Sequence, residues 1–132
     1  MKQTWSASWN SSIKPNKQRK YRYAAPLHIQ HAFLGAHLSS ELRKKYKIRS
    51  LPLRKGDTVR VMRGQYKKKT GKITKILTRK QKAYIEGIDR TKKDGNKTFI
   101  PFHPSKLLIT GLDLTDKKRK AKIEEKTTKE KK

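Results

Sequence analysis

The chain has 132 residues, and its 37 lysines and arginines against 10 acidic residues give a formal net charge of +27. With 36% charged and 32% hydrophobic residues, it can build one small domain with polar extensions but not two substantial domains. The absence of cysteine excludes a disulfide framework and thiolate metal sites. No apolar run approaches the roughly 20 residues that span a bilayer, so the excess of cations indicates a nucleic acid rather than a membrane as partner.

Composition divides the chain into three zones, which we take as the expected domain organisation. Residues 1–50 form a basic N-terminal extension, residues 51–110 hold most of the apolar positions, and residues 111–132 form a charged C-terminal tail. A core drawn from about 60 residues is marginal, so a partner that binds the native state would add needed stability. The tail predicts a frayed helix from Asp116 to Glu125, with disorder beyond it.

Residues 11–23, SSIKPNKQRKYRY, predict an extended basic arm. Pro15 disfavours helix at Lys14, and the segment has too little apolar surface to offset the entropy of ordering. Its alternation of cations and aromatic rings suits RNA, whose unpaired bases stack while cations hold phosphates. The alternative is a disordered basic tail. The candidate RNA contacts in the arm are Lys14, Lys17, Arg19, Lys20, Tyr21 and Arg22.

Two short helices are predicted after the arm. Pro26 can occupy the first turn of a helix that runs to about Ala36, and Ser39 or Ser40 can cap a second one, ELRKKYK. Both are too short to persist alone, so they must dock on the middle zone or on a ligand. The candidate RNA contacts in this part are His28, Arg43, Lys44 and Arg49.

Two further features of the N-terminal zone could contribute to sites. Trp5 and Trp9 have only Ile13 as an apolar neighbour, so we expect them to anchor on another molecule, the alternative being disorder. His28 and His31 have an i,i+3 spacing, but no cysteine or nearby carboxylate completes a tetrahedral zinc site. No metal or other cofactor is therefore expected.

The middle zone predicts five short strands. Residues 58–62 alternate apolar and polar side chains with the period of two that a half-buried strand shows. Residues 72–77, 83–88, 98–102 and 107–109 continue the pattern. Asp94-Gly95 predicts a hairpin with a type I′ turn. His103-Pro104-Ser105 ends the fourth strand and separates it from the fifth. Five short strands joined by tight turns predict a mainly β fold, a small and strongly bent barrel.

The turn between the first two strands, RGQYKKKTGK, carries the strongest functional signal. Gly64 and Gly71 permit positive φ and a close approach of backbone to a ligand, and Tyr66 offers a stacking face. Lys67–Lys69 supply point charges for phosphates, which carry no base code, so the shape of the RNA backbone is the expected target. The alternative is a turn that its lysines simply keep soluble. The candidate contacts here are Arg54, Arg63, Gly64, Tyr66, Lys67, Lys68, Lys69, Gly71 and Lys72.

Two later turns add further candidates. The first is a basic turn between the second and third strands. The second is the strand break at His103, where a backbone nest could bind phosphate, the alternative being an ordinary turn. The candidate contacts in these turns are Arg79, Lys80, Lys82, His103, Ser105 and Lys106.

Residues 55–76, KGDTVRVMRGQYKKKTGKITKI, resemble a KOW motif, with the motif's glycine at Gly71. APLHI, LSSELRKKYKIRSLPLRKGD, YIEGIDRTKKDG and HPSKLLIT resemble, in matching order, the archaeal and eukaryotic form of ribosomal protein twenty-four of the large subunit. The resemblance implies an SH3-like five-stranded barrel and direct contact with large-subunit ribosomal RNA. It also implies an early role in subunit assembly and a position near the polypeptide exit tunnel. For such a protein we expect neighbouring ribosomal proteins of the large subunit as partners and a cytoplasmic location.

We therefore expect a structural RNA-binding protein of the large ribosomal subunit. No nucleophile elbow, nucleotide-binding loop or metal-ligand cluster is present, so catalysis and a small-molecule substrate are not expected. Neither a membrane nor a second copy of the chain is expected as a partner. The alternative is a KOW-type transcription or RNA-processing factor, which predicts a second folded domain for protein binding.

Overall fold

The computed structural model describes residues 5–6 and 11–129. Its helices are α1 (Pro15–Ala24), α2 (Leu27–Ala32), α3 (Ser40–Tyr46) and α4 (Lys117–Lys129). Its strands are β1 (Gly35–Leu38), β2 (Ser50–Pro52), β3 (Thr58–Val61), β4 (Thr70–Leu77), β5 (Lys82–Thr91), β6 (Lys97–Phe102) and β7 (Leu107–Gly111). A 3₁₀ turn over Pro104–Lys106 links β6 to β7. None of the helices in these ranges combines the length and apolar character that crossing a membrane requires.

All seven strands belong to one sheet with the order β2-β1-β7-β3-β4-β5-β6, so the expectation of a mainly β fold is confirmed. The five predicted strands are β3 to β7, and the alternation that predicted them matches their burial: Val59 and Val61 are buried and Arg60 between them is exposed. β7 lies in the interior of the sheet, antiparallel to β3 and parallel to β1. Closure of these five strands into an SH3-like barrel stays a prediction.

Strands β1 and β2 were not predicted. The helix expected from Pro26 to Ala36 begins as predicted, with Pro26 as its N-cap, but it ends at Ala32. From Leu34 onward, alternate side chains are buried and the backbone pairs with β2 and β7. Residues 35–38 form a strand instead of continuing the helix because they hydrogen-bond to β2 and β7. These partners are distant in sequence, so local helix propensity does not predict the pairing. The second predicted helix is confirmed as α3, with the Ser39 hydroxyl accepting from the Leu42 N–H.

The prediction of an extended arm is wrong from Pro15 onward, because α1 begins there. Lys14 has the extended ψ of 119° that a following proline favours, and Pro15 then takes a first-turn position where its missing N–H costs nothing. The Trp5 indole donates to the Tyr21 carbonyl at 3.2 Å. The Tyr21 ring packs against Trp5 at 5.1 Å and Phe33 at 6.2 Å between centroids. These contacts supply the docking that an isolated helix of this length lacks.

Trp5 thus packs on its own chain, a contact that was not predicted, and its contact with another molecule stays a prediction, while Trp9 lies outside the described residues. The hairpin predicted at Asp94-Gly95 is present, but it is not type I′, since only Gly95 of the two has a positive φ, 76°. The Gly95 N–H donates to the Lys92 carbonyl, and the Lys92 N–H donates to the Asn96 carbonyl. A turn followed by a left-handed glycine is the usual three-residue hairpin loop.

The predicted C-terminal helix is confirmed as α4, but it continues to Lys129 where disorder was expected beyond Glu125. Ile123 is buried against the core of the sheet, and the Thr127 hydroxyl donates to the Tyr46 carbonyl of α3 at 2.9 Å. A packed apolar side chain and a fixed hydrogen bond account for its order. The predicted tail at 130–132 lies outside the described residues.

A buried ion pair fixes α4 to the sheet. Asp57 has no exposed surface and Arg119 is 6% exposed. The guanidinium donates to both carboxylate oxygens of Asp57, at 2.5 and 2.7 Å, and to the carbonyls of Asp113 and Pro52. Asp57 also accepts from the backbone N–H groups of Arg54 and Asp113. Each buried charge is thus compensated by several hydrogen bonds, the condition under which a buried pair is tolerated.

Asp57→Ala should lower the free energy of unfolding by about 3–5 kcal/mol, since it leaves a buried guanidinium and two backbone N–H groups without their acceptor. Urea denaturation measures the loss. Arg54→Ala is the matched control, because Arg54 and its ion-pair partner Asp116 have side chains 50% and 41% exposed, and such a pair contributes about 0–1 kcal/mol. Equal losses in the two variants would contradict the assignment.

Gly71 has a role other than the one predicted. Its φ is not positive, so the expectation of a left-handed residue holds at Gly64 (φ 95°) but is wrong at Gly71. A Cβ at Gly71 would instead lie 2.7 Å from both the Glu86 carbonyl oxygen and the Ile85 Cγ2 atom of β5. Glycine is needed here because β4 and β5 approach closely.

Gly71→Ala should therefore lower the free energy of unfolding by about 1–3 kcal/mol, as overpacking in a core does. Gly35→Ala is the control: its φ is not positive, and the nearest atom to its added Cβ is the Ala32 oxygen at 3.5 Å. That change should stay within about 1 kcal/mol. Thermal or urea unfolding of both variants tests the difference, and an unaffected Gly71→Ala protein would refute the close approach.

Candidate nucleic-acid interface

The β3–β4 loop, residues 62–69, is a structured turn that exposes three consecutive lysines. The Lys68 N–H donates to the Val61 carbonyl and the Val61 N–H to the Lys69 carbonyl, both at 2.9 Å. Gly64 has a positive φ of 95°. Lys68 also has a positive φ, 73°, which is uncommon for a residue other than glycine. Lys67–Lys69 are all exposed. The hydrogen bonds therefore fix the backbone from which these lysines extend.

Tyr66 anchors this loop. Its ring is half-buried and lies edge-on to the Phe102 ring, with 6.1 Å between centroids and 89° between planes. The Lys69 ammonium lies 5.3 Å from the Tyr66 centroid, within cation–π range. Part of the ring that the sequence offered for base stacking is thus packed against the protein itself.

The loop is joined to the turn at His103–Lys106, which was predicted as a separate phosphate site. The Met62 N–H donates to the Lys106 carbonyl at 2.8 Å. Within the turn, the Ser105 N–H donates to His103 Nδ1 at 3.3 Å, and the Ser105 hydroxyl lies 2.9 Å from the same nitrogen. Two predicted segments that are far apart in sequence are therefore neighbours in the fold.

The electrostatics of His103 show that two more cations belong to this surface. Partial burial lowers the pKa of His103 from its ordinary 6.5, and the charges of Lys82, Arg22 and Lys106 lower it further. Positive charges lower a histidine pKa because they disfavour a second cation nearby. Lys82 begins β5 and Arg22 belongs to α1, so four chain segments converge. We call the surface formed by Arg22, Lys67–Lys69, Lys82 and residues 103–106 the cationic face.

Several predicted residues flank the cationic face. Arg63 and Gly64 are exposed within the β3–β4 loop, and Arg79 and Lys80 are exposed in the turn directly before Lys82. The remaining cations of the basic segment are exposed on or next to α1, the helix that carries Arg22: Lys14, Lys17, Arg19 and Lys20.

Other predicted residues have contacts within the protein. Arg54 forms an ion pair with Asp116, and the Arg43 Nε donates to the Leu38 carbonyl at 2.9 Å. Lys72 lines a hollow with Glu86 and Asp113, whose carboxylates make it less suited to phosphate. Two more predicted cations, Lys44 and Arg49, are exposed in and after α3. Tyr21 and Gly71 have packing roles inside the protein.

His28 lies in a different place, a groove of about 830 Å³ between α2 and α4. It shares this groove with His31 and with Lys118, Lys122 and Lys126 of α4. These three lysines were not predicted as a group, although their spacing of four residues indicates one side of a helix. Within the described ranges, no three His, Asp or Glu side chains converge as a metal site.

Comparison with known proteins decides the family. Residues 12–126 match the family model that describes the eukaryotic ribosomal proteins L26 and their archaeal L24 counterparts. The chain belongs to this ribosomal protein family. Two relatives are both named large ribosomal subunit protein uL24. The one from Pyrobaculum islandicum is 43% identical over 116 residues, 88% of this chain and 94% of the relative. The one from Korarchaeum cryptofilum is 46% identical over 118 residues, 89% of this chain and 90% of the relative.

Membership confirms the resemblance that the KOW segment and its flanking segments indicated. It also confirms the expectation of a structural, non-enzymatic protein. The rival interpretation as a transcription or RNA-processing factor rested on the KOW segment alone. The family match covers residues 12–126 and so extends well beyond that segment on both sides.

Lys82→Ala should raise the pKa of His103 toward 6.5 without reaching it, because the burial that contributes most to the lowering remains. An NMR titration of the His103 ring measures the change. Lys92→Ala, at the distant β5–β6 turn, is the control that should leave this pKa where it is. An identical His103 pKa in the wild-type and Lys82→Ala proteins would remove Lys82 from the cationic face.

Proposed function

We propose that the chain is a structural constituent of the large ribosomal subunit and that it binds large-subunit ribosomal RNA through the cationic face. The relatives' names support the subunit, and the net charge of +27 supports a polyanionic ligand. The observation that carries the proposal is that the lysine loop adjoins the 103–106 turn, by the hydrogen bond from Met62 to Lys106 and the contact between the Tyr66 and Phe102 rings. Lys82, Arg22 and Lys106 add positive charge beside this turn, where they lower the pKa of His103.

The chemistry of this face suits phosphate. Lysine and arginine side chains bind backbone phosphates and fix the position and orientation of the protein, but they do not identify bases. The hydrogen bonds around Lys68, which has a left-handed conformation, fix the loop backbone before RNA arrives. A preordered loop loses less conformational entropy on binding. The exposed cations of α1 extend the same contact beyond Arg22.

The proposal includes an early role in subunit assembly and a position near the polypeptide exit tunnel, as the family resemblance implies, with neighbouring ribosomal proteins as partners in the cytoplasm. Early binding has a physical rationale. So many cations in a small protein repel one another, and RNA that neutralises them stabilises the native state. In this arrangement the zone 51–110 supplies most of the face, and the zone 1–50 adds Arg22.

Replacing Lys67, Lys68 and Lys69 together by alanine should weaken binding to large-subunit ribosomal RNA fragments uniformly across sequences while leaving the fold intact. If about ten phosphates are neutralised, log affinity should fall with log salt at a slope of about −7 to −9. In the triple variant the magnitude of this slope should be smaller by about 2 to 3, because three phosphate contacts are lost. Filter binding or fluorescence anisotropy over a salt series measures both quantities.

The matched control replaces Lys117, Lys120 and Lys122, which are exposed on α4, and so removes the same charge from another part of the protein. It should reduce the slope less than the loop variant does. A wild-type slope near −2, or equal affinities for the wild-type and loop variants, would overturn the proposed interface.

A further inference from the structure

A large aromatic side chain, which is not among the residues that define the cationic face, is exposed on the sheet. Phe99 of β6 is 57% exposed, whereas Phe102 at the end of the same strand is buried. The Phe99 ring lies beside the half-buried Tyr84 ring of β5, with 6.4 Å between centroids and 65° between planes. Exposing a phenylalanine to water has a hydrophobic cost that burial against a ligand would remove.

Two hollows flank Phe99. The smaller, of about 380 Å³, is lined by Thr74, Lys75, Tyr84, Thr98 and Phe99. It brings together two aromatic rings, one ammonium group and two threonine hydroxyl groups, one of which, on Thr74, already donates to the Tyr84 carbonyl at 3.3 Å. Its volume falls within the range of pockets that hold small planar ligands.

The larger hollow, of about 880 Å³, also borders Phe99. Its lining includes Tyr66 and Phe99, together with the cations Arg90, Lys92 and Lys93 of the β5–β6 hairpin. Because Tyr66 belongs to the lysine loop, this hollow is continuous with the cationic face. Phe99 thus borders two hollows, each of which combines aromatic rings with positive charge.

The charges around Phe99 favour a nucleic-acid strand over a protein segment. Asp89 pairs with Phe99 in the β5–β6 ladder, and its carboxylate lies 3.9 Å from the Lys97 ammonium. Asp94 lies at the hairpin tip. Four cations of residues 89–98 outnumber these two acids. Rings bordered by cations match the two parts of a single strand, a base that stacks and phosphates that carry charge.

We propose that Tyr84 and Phe99 form a stacking platform for an unpaired RNA base, with Lys75 on one side and Arg90, Lys92 and Lys93 on the other binding the adjacent phosphates. The inference rests on the proposed function in that the ligand is RNA. It adds a second mode of binding, since the cationic face recognises phosphate backbone whereas the platform requires a base that is free to stack.

The test measures the affinity of the full chain for a short oligo(A) RNA and for a duplex RNA of the same length. Phe99→Leu keeps apolar bulk but removes the ring, so it should weaken oligo(A) binding by about 5- to 150-fold, the range for one stacked base. Duplex binding should not change. Phe99→Tyr keeps a ring and should keep the oligo(A) affinity. Leu27→Ala, a change at another exposed apolar residue, should be neutral.

Ultraviolet crosslinking of the wild-type protein to oligo(A) gives a readout that does not depend on any variant. Mass spectrometry should place an adduct on Phe99 within the tryptic peptide of residues 98–106, and not on Phe102, which is 6% exposed. Adducts confined to other parts of the chain would overturn the platform.

The loop variant, in which Lys67–Lys69 are replaced by alanine, separates this inference from the proposed function. If Phe99→Leu binds oligo(A) like wild type while the loop variant loses duplex RNA, the platform is wrong and the cationic face stands. If the loop variant binds every RNA like wild type, the proposed function itself fails. A Phe99→Leu protein that keeps its RNA affinities but no longer associates with another ribosomal protein would show a protein contact and overturn the platform.

Discussion

The buried contact between Asp57 and Arg119 determines how the C-terminal part of this protein is arranged. Asp57 directly precedes β3, and Arg119 lies on α4, 62 residues later. Through its other hydrogen bonds the pair also fixes the backbone at Pro52, Arg54 and Asp113. Buried charges persist only when each is fully compensated. One carboxylate in a strongly cationic chain therefore joins the segment before β3, the segment after β7 and the last helix.

The second constraint is the excess of positive charge, and the fold determines which of the cationic segments are neighbours. The loop at Lys67–Lys69 and the turn at His103–Lys106 meet because β3 and β7 are neighbours whose connections emerge at the same end, as the hydrogen bond from Met62 to Lys106 shows. The lysine loop then adjoins the aromatic platform through Tyr66. The proposed phosphate contacts and the proposed base stacking thus fall on adjacent surfaces, which suits a folded RNA containing both helices and unpaired bases.

The strands from β3 onward could be predicted because alternation along a half-buried strand is a local signal that survives in the sequence. The pairing of β1 could not, because its hydrogen bonds go to β2 and to the distant β7. Helix α1 was missed for a similar reason. Its order depends on Tyr21 packing between Trp5 and Phe33, and neither partner lies within the basic segment itself. Gly71 was recognised as important, but only the structure shows how closely β5 approaches it.

The sequence by itself determined the excess of positive charge, the absence of a catalytic motif, the five main strands and the ribosomal resemblance, because charge, alternation and motif order are local properties of the chain. Tertiary structure decided which of the many exposed cations lie near one another, since that depends on which turns the sheet brings side by side. It also decided that Asp57 is a structural residue rather than a surface acid, and that Phe99 is exposed while Phe102 is buried. Those distinctions depend on contacts between distant segments, which no local pattern records.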